Sequence, residues 1–555
     1  MHSFHNQSRN NMKASDLFVR CLENEGVEYI FGIPGEENLD VMDSMIGSSI
    51  RFITTRHEQG AAFMADVYGR LTGKAGVCLA TLGPGATNLV TGFADANMDR
   101  APIIGIAGQG ATTRMHKESH QILDLVNLFA PISKYSVQIR EPEIVAEIVR
   151  KAFKAAEAEK PGGSFIDFPE NVAAMLVDGK APLKVQSAKP PVPPADKITQ
   201  AADLISNASY PLIMAGNGVV RASANEALVR FAEKLNIPVA TTFMAKGSIP
   251  FSHELSLGTV GLQAHDYVAC GFDRADVVIC VGYDMIEYHP HLWNQEKTSQ
   301  IIHIDMSAAE VDEHYILECG VVGDISAALD GIAAEAKPQT GSKVQTLRET
   351  IVEELSMHES NTSFPMVPQR IILDLRKALR PDDIVVSDVG AHKMWMARMY
   401  QAERPNTCII SNGFAAMGIG LPGAIAAKLA YPDRVALTVT GDAGFLMNSQ
   451  EIETALRIGV AIVVLVWNDS KYGLIKWHQD RRFGRDTQIE FNNPDLVKYA
   501  QSFGAKGYRV ASADKLLPTL KQAIADDTVV LIDCPVDYSE NMKLTEKLGN
   551  LVCPI

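Results

Sequence analysis

No two of the eight cysteines stand in a CxxC pair, which argues against a zinc cluster. Cys78 and Cys280 sit in apolar, strand-like runs, so buried free thiols and a reducing cytoplasm are expected. No apolar run approaches the length needed to cross a bilayer. The opening, MHSFHNQSRNNMKAS, lacks the apolar core of a secretory signal, and a loose tail before Met12 is expected. Low-complexity segments and short-period repeats are also missing. Positive charge is in deficit: 51 Lys and Arg against 66 Asp and Glu give a net charge of −15. Such a surface repels nucleic-acid phosphates and anionic lipid headgroups, so neither is expected as a partner. What is present is ordinary for a globular chain, and 555 residues are enough for three or four domains.

Two stretches read as linkers. Residues 177–197 are rich in Pro and Lys, and residues 335–368 are polar with one predicted helix, VQTLRETIVEELSMHE. They delimit domains over 12–178, 192–335 and 366–540. Each piece repeats one rhythm, in which a short β-branched run ends in Gly, Asp or Asn and a helix-like segment follows. The runs are YIFGIPG, RFITTRHE, GVCLATLGPG, PIIGIAG and SFIDFP; then PLIMAGNG, PVATTF, DVVICVGYD and QIIHID; then IVVSDVG, TCIISNG, VALTVTGDAG, AIVVLVWND and VVLIDCP. Alternating strands and helices predict an α/β chain of three doubly wound parallel-sheet domains. Ligands in such sheets bind beyond the carboxyl ends of the strands. A GxGxxG match at Gly418–Gly423 contains Pro422 and follows no strand, so it predicts a close glycine-rich helix approach rather than a dinucleotide fingerprint.

The strongest local pattern is VALTVTGDAG followed by AIVVLVWNDSKYG. Asp442 and Asn468 end successive predicted strands, so both reach one edge of the sheet. Their side-chain oxygens and a main-chain carbonyl near Ser470 are hard ligands suited to Mg²⁺ with diphosphate oxygens and water. Gly441 and Gly444 let the main chain approach phosphate, and the next helix N-terminus favours negative charge. Gly-Asp at a strand end is also an ordinary turn; the spacing to Asn468 favours ligation.

This segment resembles the thiamine-diphosphate motif, with Ala443 in place of the usual second glycine and Trp467 in place of the first of two asparagines. RHEQGAAFMADVYGRLTGKAG, followed by TLGPGATN, resembles the pyrimidine-binding motif of the same superfamily. The resemblance implies that Glu58 hydrogen-bonds the pyrimidine ring and is catalytic. It implies that Pro34, Thr81, Pro84 and Asn88 line the cofactor from the first domain. It assigns Gly390, His392, Gly413, Met417, Gly441, Asp442, Ala443, Gly444, Asn468, Ser470, Tyr472, Gly473 and Leu474 to the cofactor from the last, with Met417 supporting its bent form. The metal ligands would be Asp442, Asn468 and Ser470. The cofactor would lie between the first domain of one subunit and the last of another. A homodimer is therefore the implied minimum and a homotetramer the expected assembly.

Over residues 13–540 the sequence is most similar to the acetolactate synthase family, in particular its FAD-independent, catabolic type. SHQILDLVNLFAPISKYS and ADVVICVGYDMIEYHPHLWN carry this likeness. GYDMIEY stands where the flavin-binding type has a GVRFDDR-like segment, so FAD is not expected. The implied partners are small 2-keto acids. Pyruvate would lose CO₂ and its remainder would add to a second keto acid, giving 2-acetolactate. Gln121 is the first candidate for the acceptor pocket, because its amide can donate to a carboxylate or carbonyl, and His120 is the second. The chain departs from the catabolic pattern at Glu36, Glu37 and Asn38, where a lysine is usual, and at His478, where a glutamine is usual. Trp477 instead matches the biosynthetic type, so Trp477 and His478 are the residues expected to shape the substrate pocket. The competing reading is a non-ligating 2-keto-acid decarboxylase, but the His-His pair such enzymes often use is missing beside His120.

Overall fold

A computed structural model describes residues 12–186, 189–261, 267–340 and 345–541; the expected N-terminal tail lies outside them. The chain divides into two compact units, the second starting at Lys189.

The first unit is built on six parallel strands: β1 (Tyr29–Gly32), β2 (Arg51–Thr54), β3 (Gly76–Ala80), β4 (Ile103–Gln109), β5 (Tyr135–Gln138) and β6 (Gly163–Pro169). Their spatial order is β2-β1-β3-β4-β6-β5. β3, β4 and β6 are buried along their whole length, as a parallel sheet covered on both faces requires. A two-residue antiparallel pairing of Met12–Lys13 with Leu176–Val177 ties the ends of the unit together.

The second unit carries two sheets. One contains β7 (Pro211–Ala215), β8 (Val239–Thr241), β9 (Ser256–Thr259), β10 (Val277–Val281), β11 (Gln300–Asp305) and β12 (Leu317–Val322), in the order β9-β8-β7-β10-β11-β12. The other contains β13 (Ile384–Ser387), β14 (Cys408–Ile410), β15 (Ala436–Gly441), β16 (Ile462–Asn468), β17 (Lys506–Arg509) and β18 (Val529–Pro535), in the order β14-β13-β15-β16-β18-β17. All pairings in both are parallel. The three-sheet α/β architecture agrees with the sequence. The uniform rhythm hid a difference, however. The first and last sheets share one strand order, and the middle sheet has the dinucleotide-binding order. Strand order reverses between β1 and β3, between β7 and β10, and between β13 and β15, and ligand crevices form at such points.

Within the three six-stranded sheets the four strands not foreseen, β5, β9, β12 and β17, all lie at sheet edges. One side of an edge strand meets solvent or a loop, and three of the four lose the apolar run that marks an interior strand; β5 and β17 have no fully buried residue. The helix expected in the second linker spans Gln345–Ser356 and buries Leu347, Ile351 and Leu355.

Two glycines set the helices that carry the first unit's site. A Cβ on Gly76 would lie 1.9 Å from the Ala65 carbonyl oxygen, so the helix Glu58–Thr72 rests directly on the start of β3. A Cβ on Gly92 would lie 2.7 Å from that of Ala62, so the helix Pro84–Met98 packs backbone-close against the same helix. Gly76→Ala should push helix and strand apart. A stability loss of about 1–3 kcal/mol or more is expected in urea unfolding, with reduced activity because Glu58 rides on the displaced helix.

Candidate active site

Glu58 is the first residue of its helix. A turn over residues 55–57 separates it from β2. His57, in extended conformation, caps the helix, its ring nitrogen accepting from the Gln59 N–H at 3.1 Å. Glu58 is 9% exposed, and its Oε2 accepts from Asn88 Nδ2 at 3.0 Å. Asn88 lies one turn into the helix Pro84–Met98. A Cβ on Gly85 would lie 2.9 Å from Thr81 Cγ2 and 3.3 Å from Glu58 Oε1, so only glycine leaves the carboxylate this space. Thr81 Oγ1 donates to Glu37 Oε2 at 2.7 Å, and Gly35, next to the exposed Pro34, packs on the Thr81 side chain. Gln121 arrives from a distant loop. It takes a left-handed φ of 59°, and its main chain closes over Gly83, whose added Cβ would meet the Gln121 carbonyl oxygen at 2.7 Å. Glu58, Thr81, the Gly83–Pro84 turn, Asn88 and Gln121 thus come together at the ends of β1 and β3. His120 is exposed beside Gln121.

The second unit gathers oxygens at the ends of β15 and β16. Asp442 begins the helix Asp442–Asn448 rather than ending the strand, and it is 1% exposed. Its Oδ1 accepts from the Ala443 N–H at 2.9 Å and its Oδ2 from the Ser470 N–H at 2.7 Å. Asn468 Oδ1 and Asp442 Oδ2 both accept from Asn493 Nδ2. The Ser470 carbonyl accepts from the Phe491 N–H and keeps a second lone pair. Burial raises the Asp442 carboxyl above the usual carboxylate range, and burial together with the Asp442 charge lifts Asp469 to about 7. Desolvated acid groups of this kind recover their charged form when a cation joins them. Among the described residues no three His, Cys, Asp or Glu side chains are grouped to hold a metal; Asp442, Asn468 and Ser470 offer hard oxygens of the kind a cation such as Mg²⁺ takes.

The floor between β13 and β15 is equally tight. The His392 ring lies against Gly390 and Gly441, where an added Cβ would stand 2.8 and 3.4 Å from it. Its Nε2 is buried without a hydrogen-bond partner, an unused polar atom at the crevice where diphosphate is expected. Gly418 and Gly420 N–H groups donate to Asp388 at 2.9 and 3.1 Å, and the helix Gly420–Ala430 starts inside the GxGxxG stretch, as its reading as a helix approach required. This leaves Gly413 and Met417 half-buried ahead of the helix, and Ala443 and Gly444 in the first turn after Asp442. Beyond Asn468, Ser470 has a left-handed φ of 54° and leads through exposed Tyr472 into the helix Gly473–Phe483, with Leu474 half-buried. On that helix Trp477 is buried and lines a cavity of about 700 Å³ bounded by residues 468–471 and 536–539; His478 is exposed.

Asp388 and Asn493 were not foreseen. Asp388 closes the IVVSD run and could have been found by the strand-end rule alone. Asn493, in FNNPD, follows no strand and carries no such signal.

The fold agrees with the comparisons. The thiamine pyrophosphate enzyme N-terminal domain, central domain and C-terminal domain match residues 12–128, 198–332 and 388–534. The acetolactate synthase of Bacillus subtilis is 37% identical over 97% of this chain and 97% of the relative. The chain belongs to the acetolactate synthase family of thiamine pyrophosphate enzymes. Other members of this family include a probable acetolactate synthase large subunit of Methanocaldococcus jannaschii, 36% identical over 98% of the chain and 96% of the relative. The catabolic acetolactate synthase of Raoultella terrigena is 34% identical over 96% of the chain and 97% of the relative.

Burial lowers His392 from an ordinary value of 6.5 to about 3. The unfolded chain therefore takes up a proton below 6.5 that the folded protein refuses, and stability falls as the pH drops through that window. His392→Leu should lose less stability than the wild type between pH 6.5 and 3, as read by urea unfolding at each pH.

Proposed function

We propose that this family member joins two molecules of pyruvate, or pyruvate and a related 2-keto acid, to give 2-acetolactate and CO₂. The observation that carries this reading is the pair of half-sites, Glu58–Asn88 and Asp442–Asn468–Ser470, each at the strand-order reversal of a sheet of the same topology. Thiamine diphosphate, held through Mg²⁺, would supply a nucleophilic carbon and a sink for the electron pair left behind when CO₂ departs. Asp442, Asn468 and the Ser470 carbonyl hold the cation, and Gly390, His392, Gly441 and Gly444 receive the diphosphate. Glu58, oriented by Asn88, hydrogen-bonds the pyrimidine. Gln121 offers its amide to the acceptor's carboxylate or carbonyl, and Trp477 limits the acceptor's size.

Flavin is not part of this reading. In the middle sheet the crevice residue Asn217 already donates its N–H to both carboxylate oxygens of Glu287, each at 3.0 Å. Gly216 and Gly218 pack on Gly282 with no room for a Cβ. A carboxylate held at this helix start disfavours a phosphate there, which supports a reading without flavin. We further propose domains over 12–178, 192–335 and 366–540, and a homodimer or homotetramer in which the two half-sites meet between subunits. Exposed Leu123 and Leu128 in the first unit, and Phe414, Met447, Tyr472, Ile475 and Phe483 in the second, supply apolar surface for such contacts. A cytoplasmic location is proposed from the six buried free cysteines among the described residues, against which Cys270 is disulfide-bonded. No helix among the described residues is long and apolar enough to cross a membrane.

Incubation with thiamine diphosphate, Mg²⁺ and pyruvate should yield acetolactate, and addition of 2-ketobutyrate should reveal the acceptor preference. Acetaldehyde as the only product would sink the ligase reading. Glu58→Gln should abolish turnover while binding Mg²⁺ and thiamine diphosphate as the parent does, measured by calorimetry.

A further inference from the structure

We propose that Asn493 is a positioning residue for the metal, aligning its ligands and offering its carbonyl oxygen to a water on the cation. This rests on the reading of Asp442 and Asn468 as Mg²⁺ ligands. Asn493 Nδ2 stands 2.7 Å from Asp442 Oδ2, 3.0 Å from Asn468 Oδ1 and 3.3 Å from Ser470 Oγ. One amide nitrogen therefore touches all three residues of the ligand set. It carries two hydrogens, enough to fix the Asp442 carboxylate and the Asn468 amide in one arrangement.

The other end of the amide is as informative. Asn493 Oδ1 is buried and has no hydrogen-bond partner. An unpaired buried acceptor is costly, and here it belongs to the side chain that bridges the ligands. Mg²⁺ dehydrates reluctantly and keeps water in its shell. A water held there supplies the missing donor.

The surroundings fix both amides. Asn468 Nδ2 donates to Asp533 Oδ1 at 2.9 Å, and Arg509 Nε donates to Asp533 Oδ2 at 2.8 Å. This chain sets the amide orientation of Asn468, with its oxygen on the ligand side. Asn493 is anchored through its own segment. The Tyr472 N–H donates to the Ile489 carbonyl, and the Phe491 N–H to that of Ser470. Beyond Pro494, Asp495 caps the helix Leu496–Ser502. The loop carrying Asn493 is thereby tied to the loop carrying Ser470. Partners of metal ligands commonly set affinity by about 10–100-fold.

The test is a Mn²⁺ titration by electron paramagnetic resonance on full-length, EDTA-stripped protein with thiamine diphosphate present. Asn493→Leu should weaken Mn²⁺ binding about 10–100-fold and raise the metal concentration needed for half-maximal activity. Asn493→Gln, which keeps both the amide donors and the carbonyl oxygen, should restore part of the affinity. If Asn493→Leu does not fold, Asn493→Ser and Asp533→Asn take its place, with weakening expected in both. Unchanged affinity in the variants would overturn the proposal. So would tighter binding with a lowered melting temperature of the metal-free protein, because the amide would then be a placeholder that the cation expels. Asp442→Asn is the separate control. If it binds Mn²⁺ like the wild type, the metal-site reading itself fails.

Discussion

A single buried carboxylate organises the diphosphate end of this protein. Asp388 accepts hydrogen bonds from the N–H groups of Val389, Gly418 and Gly420 and from the Thr440 hydroxyl. Those donors come from the end of β13, the approach to the helix Gly420–Ala430 and the end of β15. Burial pushes the pKa of this carboxyl up, against the pull of those stabilising bonds. Removing the carboxylate would leave several buried donors without an acceptor, and each such loss costs about 1–3 kcal/mol. The narrow crevice beside Gly441 and Gly444 exists because these three segments are held at one point; a Cβ on Gly444 would already lie 3.1 Å from Asp388.

The first and last sheets reach their sites by the same topological route but furnish them differently. At β1 and β3 the crevice presents a carboxylate oriented by an amide, with a second carboxylate, Glu37, held by Thr81. At β13, β15 and β16 it presents the buried His392 Nε2 and hard oxygens. One end suits a ring nitrogen and the other suits a metal-bound diphosphate. The middle sheet has the strand order associated with dinucleotides, yet Glu287 occupies the helix start there and burial lifts it to about 7. Strand order fixes where a ligand could sit, and the side chains at the crevice decide whether one does.

Much of this was legible in the sequence. Interior parallel strands are apolar on both faces, so VVICV and IVVLVW were unmistakable. Edge strands such as Tyr135–Gln138 and Lys506–Arg509 obey no such rule, and their polar residues concealed them. Glu58, Asp442 and Asn468 were legible because they stand at or just past strand ends within extended motifs. Asn493 was not, since its importance arises from a loop pairing, Tyr472 with Ile489, that leaves no periodicity. The fit of Gln121 against Gly83 was equally hidden. It depends on two left-handed residues meeting from loops far apart in the chain.

That meeting has an evolutionary consequence. The closest approach to Gly83 is made by the Gln121 carbonyl oxygen, Cβ and Cα, atoms that almost every residue possesses. Residue 121 can therefore change its functional group without loosening the turn that leads to Pro84 and Asn88. On the role proposed for Gln121, acceptor preference could therefore change by substitution at this one position while the turn ahead of Pro84 and Asn88 is inherited intact.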